Sequence, residues 1–169
     1  MSETSDETKT PLPELLAEAS IHLDASATSR DDAIRQAGQA LLDVGAIDES
    51  YLDAMLEREN SVSTYMGEGV AIPHATLAGK AAVRRDALCF LRFPDGVDWD
   101  GETVTVCIGI AAVGDGHLDI LAELAQILLD PERAAALREA TTPDRVIAML
   151  TPAEEEDPSA PAPSPRGER

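Results

Sequence analysis

Two segments in the second half of the chain are apolar almost without a break. Residues 103–112, TVTVCIGIAA, read as a strand buried on both faces, as in the middle of a sheet. Residues 86–93, DALCFLRF, alternate in part and form a second strand. PDGVDWDGE between them carries the turn signals Asp95-Gly96 and Asp100-Gly101. Elsewhere the apolar positions recur at helical spacing. Ile34, Ala37, Leu41 and Val44 share one face of a helix that Ser29 caps and Gly45 stops. Leu52, Met55 and Leu56 do the same in DESYLDAMLEREN, a helix ending near Arg58. Leu121, Leu124, Ala125 and Leu128 form a stripe in LDILAELAQILLD, and PERAAALREA and TPDRVIAML supply two more helical pieces. Short extended segments fall around residues 21–23 and in STYM and GVAI. Strands that alternate with helices, followed by a cluster of helices, predict an α/β fold. The expected architecture is a three-layer-like sandwich, a mixed central β-sheet flanked by helices.

The stretch GEGVAIPHA, residues 67–75, interrupts this pattern in an informative way. Val70, Ala71 and Ile72 read as a short buried strand bounded by glycines. Pro73 lacks an amide hydrogen and drives Ile72 toward extended geometry, so the strand ends there. His74 is then held on stiff backbone at the rim of a sheet.

Composition narrows the class. The 169 residues are 44% hydrophobic, enough for a real core, and no apolar run reaches the roughly 18 residues of a membrane span. Residues 1–14 are polar and acidic, unlike a secretory signal, and residues 151–169 combine an acidic run with a Pro/Ala/Ser tract. Both are expected to be disordered tails around one globular unit, residues 15–150. With 32 acidic against 13 basic side chains the formal charge is −19, which repels nucleic-acid backbones and anionic membranes. Cys89 and Cys107 sit in apolar strands and read as buried free thiols in a reducing cytoplasm.

Candidate chemistry is sparse. Of the three histidines, His22 lies in a strand far from any turn signal and reads as structural or exposed. His74 and His117 both stand at the ends of extended segments beside glycines. His117 marks the hand-over from the last strand to a helix, where backbone amides and the helix dipole favour an anion. Arg58 precedes STYMGEGVAIPH, and a short loop would bring it over His74. An arginine there also suits the last helical carbonyls. Gly67-Glu68-Gly69 lacks the third glycine of a dinucleotide loop, and no GxxxxGK nucleotide motif is present. There is no CxxC, HExxH or GxSxG, so zinc and serine-hydrolase readings fall.

GEGVAIPHA, with LEREN and STYM before it and FPDGVDWDG and VCIGIAAVGDGHLDIL after it, resembles the mannitol/fructose-type enzyme IIA domains of the phosphoenolpyruvate-dependent sugar phosphotransferase system. Separated motifs agree in order and spacing over nearly all of residues 15–150 and lie closest to the mannitol branch, although Ala75 stands where many relatives carry glycine. The resemblance implies that His74 is the phosphorylated nucleophile, His117 the second active-site histidine, and Arg58 the arginine that steadies the phosphoryl group. It implies a cytoplasmic phosphotransferase without metal or organic cofactor. Phosphate would come from the histidine-containing phosphocarrier protein and pass to a cysteine of the enzyme IIB component of a mannitol or fructose permease. Two alternatives stay open: a nitrogen-type regulatory enzyme IIA, and a non-catalytic interaction module on the same fold.

Overall fold

The computed structural model describes residues 12–75, 81–113 and 116–150, apart from the side chains of Pro13 and His117. The expected tails lie outside these residues for the most part. Leu12, however, is 1% exposed within a helical turn, α1 (Leu12–Leu15), so the packed chain begins before residue 15.

Five strands form one mixed sheet in the order β1-β4-β5-β3-β2. The first, β1 (Leu16–His22), pairs in parallel with β4 (Ala87–Trp99), which is antiparallel to β5 (Glu102–Ala111). β3 (Val70–Ala71) runs parallel to β5, and β2 (Tyr65–Gly67) closes the edge antiparallel to β3. β1 begins five residues earlier than the pattern suggests. It is a partly exposed strand in which Leu16 and Ser20 are buried while Ala17, Glu18, Ala19 and His22 face out, which leaves little apolar signal to read.

β4 departs most from expectation. The chain does not turn at Asp95-Gly96; it continues through a bulge between Arg92 and Val97, with Gly96 at φ 79°. A β-carbon on Gly96 would meet Thr103 Cγ2 at 2.8 Å, so glycine is also needed for close approach. The hairpin lies at Asp100-Gly101, whose φ values of 57° and 99° match the doubly left-handed two-residue turn that such pairs favour. The longer strand carries Trp99, wholly buried, back beneath the helices.

Helices cover both faces. On one face α2 (Arg30–Asp43) and α3 (Ser50–Ser61) pack with Ala71, Cys89, Leu91, Cys107 and Trp99 into one core. On the other, α4 (Gly116–Leu128), α5 (Pro131–Arg138) and α6 (Pro143–Leu150) cover Val70, Phe90, Val106 and Ile108 with Leu12 and Leu15. Ser29 caps α2 as expected: its side chain accepts from the Asp32 amide at 3.1 Å, while Asp32 accepts from the Thr28 amide at 2.9 Å. Cys89 and Cys107 are buried free thiols between the sheet and α2 and α3. Among the described residues no helix is long and apolar enough to cross a membrane.

Candidate functional site

Parallel pairing of β3 and β5 sends the carboxyl ends of both strands to the same edge of the sheet. Such an edge is where α/β folds assemble sites. His74 follows β3 by three residues, and α4 begins at Gly116, shortly after β5 ends at Ala111. The backbone of His117 lies in the first turn of α4; its side chain is outside the described residues.

The hairpin that delivers β3 is tightly specified. Gly67, Glu68 and Gly69 all have positive φ, at 101°, 57° and 78°. A side chain on Gly69 would press on Arg138 Cδ at 3.1 Å. Arg138 Nη1 donates to the Glu68 carbonyl at 2.7 Å and pins the turn to α5. The sequence signal GEG therefore marks a turn, as its failure to match a nucleotide loop implies.

His74 is more enclosed than a rim position suggests, at 9% exposure. Its Nδ1 lies 2.8 Å from the Ile72 carbonyl oxygen. A carbonyl can only accept, so this nitrogen carries the proton and the neutral ring keeps its in-plane lone pair on Nε2. The Ile110 amide donates to the Pro73 carbonyl at 3.0 Å, which continues the β3–β5 register past Pro73. The strand ends at Ala71, one residue short of the expected Ile72, but its bonding to β5 resumes at the Pro73 carbonyl.

Arg58 lies in the last turns of α3, and its Nη1 donates to the Val62 carbonyl at 2.5 Å. That is the helix-end role anticipated for an arginine here, and α3 runs on to Ser61 rather than stopping near Arg58. Val62 opens the loop to β2, in which the Thr64 carbonyl accepts from the Ile72 amide at 3.0 Å. Arg58 thus bonds this loop at Val62, and Ile72, whose carbonyl faces the His74 ring, bonds it at Thr64.

Two residues that pattern reading passed over hold this edge together. The buried stripe of α3 is Tyr51, Ala54, Met55 and Glu59, while Leu52 and Leu56 are only half-buried. Glu59, 2% exposed, accepts from the Thr64 amide at 2.9 Å, the Thr64 hydroxyl at 2.5 Å and Trp99 Nε1 at 2.9 Å. It anchors the loop between Arg58 and β2. Tyr51, 3% exposed, donates from its hydroxyl to the Ile110 carbonyl at 2.7 Å. Burial pushes its phenol up to about 12, against a hydrogen bond from the Ala75 backbone that acts to lower it. Both residues sit in register with Met55 at a spacing of four, so a polar side chain on an apolar stripe was the available signal. His22 is exposed on β1, in keeping with one of its two expected readings. Among the described residues no three His, Cys, Asp or Glu side chains group as metal ligands.

Comparison with known proteins adds an independent line. Residues 14–152 match the family described as phosphoenolpyruvate-dependent sugar phosphotransferase system, EIIA 2. The mannitol-specific phosphotransferase enzyme IIA component of Staphylococcus aureus (strain Mu50 / ATCC 700699) is 40% identical over 135 residues, 80% of this chain and 94% of that protein. Among solved structures, the complex of enzyme IIA-mannitol with phosphorylated enzyme IIB-mannitol from Escherichia coli contains a similar chain. It has a TM-score of 0.75 at 32% identity, covering 80% of this chain and 98% of that one. The nitrogen regulatory protein IIA-Ntr from Neisseria meningitidis gives a TM-score of 0.68 at 27% identity, covering 82% and 98%.

Proposed function

Because the chain belongs to the EIIA 2 family of the phosphoenolpyruvate-dependent sugar phosphotransferase system, and is thus a phosphotransferase component, we propose that it carries a phosphoryl group on His74 between a histidine-containing phosphocarrier protein and the enzyme IIB component of a mannitol permease. The observation that carries this reading is the Nδ1 contact of His74 with the Ile72 carbonyl. A nucleophilic imidazole needs one nitrogen with a lone pair and the other held in a fixed tautomer, and this contact supports that assignment for Nε2.

The steps then balance simply. The Nε2 lone pair attacks phosphorus on the incoming phosphohistidine; a new N–P bond forms, the old one breaks, and the donor imidazole leaves neutral. Positive charge develops on the His74 ring, and the Ile72 carbonyl, already facing Nδ1–H, stabilises it. In delivery a cysteine thiolate of the IIB component attacks the same phosphorus and the His74 ring returns to neutral. Nothing covalent beyond this is needed, so positioning and charge neutralisation supply the catalysis. Arg58 is assigned the equatorial oxygens: its guanidinium exchanges the Val62 carbonyl for a phosphoryl group, whose full charge makes the stronger hydrogen bonds. His117, in the first turn of α4, is assigned a supporting hydrogen bond to that group, beside a helix start that favours anions.

Mannitol is chosen as the sugar because the relatives at 40% and 32% identity reported above are named for it, while the nitrogen-regulatory relative stands at 27%. On this reading the protein works in the cytoplasm, beside its phosphate donor. The test is a reconstituted relay from phosphoenolpyruvate with purified IIB components for mannitol and for fructose. Faster transfer to the mannitol component is expected. Transfer to neither overturns the reading, and preference for fructose overturns the sugar assignment.

A further inference from the structure

We infer that the Tyr51 hydroxyl is a side-chain rung spliced into the β3–β5 ladder and that it positions His74 for phosphoryl transfer, an inference that rests on the reading of His74 as phosphoryl acceptor. The register supplies the argument. Val70 faces Val106 and Ala71 faces Cys107, so continuing the pairing sets Pro73 opposite Gly109 and His74 opposite Ile110. The Ile110 amide donating to the Pro73 carbonyl at 3.0 Å agrees with that continuation.

In a parallel ladder a residue donates to the position before its partner and accepts from the position after it. Ile110 makes the first of these bonds, to Pro73. The second would join the Ala75 amide directly to the Ile110 carbonyl. The Tyr51 hydroxyl takes that place instead: it donates to the Ile110 carbonyl at 2.7 Å, and the same oxygen is then the acceptor for the Ala75 amide, whose backbone acts to lower the phenol's raised pKa. A phenol has one donor and can accept at the same oxygen, so it satisfies both backbone groups. The chain after Pro73 is thereby set off from β5 by one hydroxyl, without stranding a buried polar group.

The consequence falls on His74. The peptide before it is held through the Pro73 carbonyl, the peptide after it through the Ala75 amide, and its ring through the Ile72 carbonyl. Tyr51 supplies the second of these three restraints. It also ties α3, the helix that carries Arg58, to the ends of both strands. At 3% exposure the phenol does not reach an incoming partner, so it acts as a positioning residue. Burial keeps it protonated, and hence a donor, at any neutral pH.

The test uses Tyr51→Phe in the full chain, which keeps the ring and removes the hydroxyl. Ile34→Val, a buried deletion on α2, serves as a destabilised control. Single-turnover transfer from the phosphorylated carrier protein is measured at saturating carrier, with fold monitored by near-UV circular dichroism. Tyr51→Phe is expected to slow transfer roughly 10- to 100-fold, as a small misplacement of a reacting group does, with the half-saturating carrier concentration unchanged. Ile34→Val is expected to transfer at the wild-type rate. Wild-type rates in Tyr51→Phe, or a loss no greater than that of Ile34→Val, overturn the inference. Amide exchange at Ala75, read by NMR with no phosphate donor present, tests the splice independently of activity. Exchange about 10-fold faster in Tyr51→Phe than in Ile34→Val supports it, and equal protection overturns it. If the wild-type chain accepts no phosphate, the phosphocarrier reading fails, and Ala75 exchange still decides whether the hydroxyl holds this segment.

Discussion

Replacing Glu59 separates the role of its shape from the role of its charge. Glu59→Ala leaves three buried donors without their acceptor: the Thr64 amide, the Thr64 hydroxyl and Trp99 Nε1. Each buried unsatisfied donor costs about 1–3 kcal/mol. The hydroxyl can turn elsewhere, so two fixed donors bound the loss at about 2–6 kcal/mol, a large part of a typical total of roughly 5–15 kcal/mol. At about 3–4 °C per kcal/mol for a domain of this size, the melting temperature should fall by about 6–24 °C.

Glu59→Gln should behave differently. Both fixed donors converge on Oε2, while Oε1 meets a hydroxyl that can accept as well as donate. A glutamine with its oxygen at the Oε2 position and its NH₂ toward Thr64 Oγ1 keeps all three bonds, so a loss under about 1.5 kcal/mol is expected, the share that charge adds to such bonds. Urea denaturation of the two variants against wild type gives both numbers. Equal destabilisation by Ala and Gln would refute the donor accounting, and Glu59→Ala within about 1 kcal/mol of wild type would show that the network does not hold the loop.

Arg58→Ala is expected to slow both uptake and delivery of phosphate about 100-fold with little change in stability, and Arg58→Lys to recover only part, since a point charge cannot span two oxygens; quench-flow of each half-reaction decides, and wild-type rates in both remove Arg58 from the site. His117→Ala should spare uptake and impair delivery in the same assay, and the reverse pattern would contradict its assigned role. Alkali should destabilise the fold: burial pushes the Cys89 thiol up to about 12 from its ordinary 9.0, and Tyr51 likewise to about 12 from 10.0. The folded state holds both protons more tightly, so this stabilisation is complete below about pH 9 and is lost as pH rises toward about 12. A urea midpoint that rises across that window would contradict it.

The sequence made the layered fold legible where side-chain chemistry repeats. The unbroken apolar run of β5 and the striped helices α2 and α4 needed no tertiary knowledge, and Ser29 announced its own capping role. What escaped was decided by contacts between distant residues. Asp95-Gly96 has the composition of a turn, yet pairing with β5 converts it into a bulge, because Val97, Asp98 and Trp99 find partners in Val104, Thr103 and Glu102. The same long-range bonding hid the supports of the site. His74 and Arg58 stand out beside Pro73 and a helix end, whereas Tyr51 and Glu59 gain their roles from Ile110, Thr64 and Trp99, residues 59, 5 and 40 positions away. A hydroxyl that replaces a ladder bond leaves no periodic trace.

The identity and ring position of the phosphorylated group test the account most directly. The full chain is incubated with phosphoenolpyruvate, enzyme I and the phosphocarrier protein, then examined by tandem mass spectrometry and by long-range proton–nitrogen correlation of the imidazole. One acid-labile phosphoryl group on Nε2 of His74, lost in His74→Ala, is predicted, because the Ile72 carbonyl keeps the proton on Nδ1. Phosphate on Nδ1, on another residue, or undiminished in His74→Ala would contradict it.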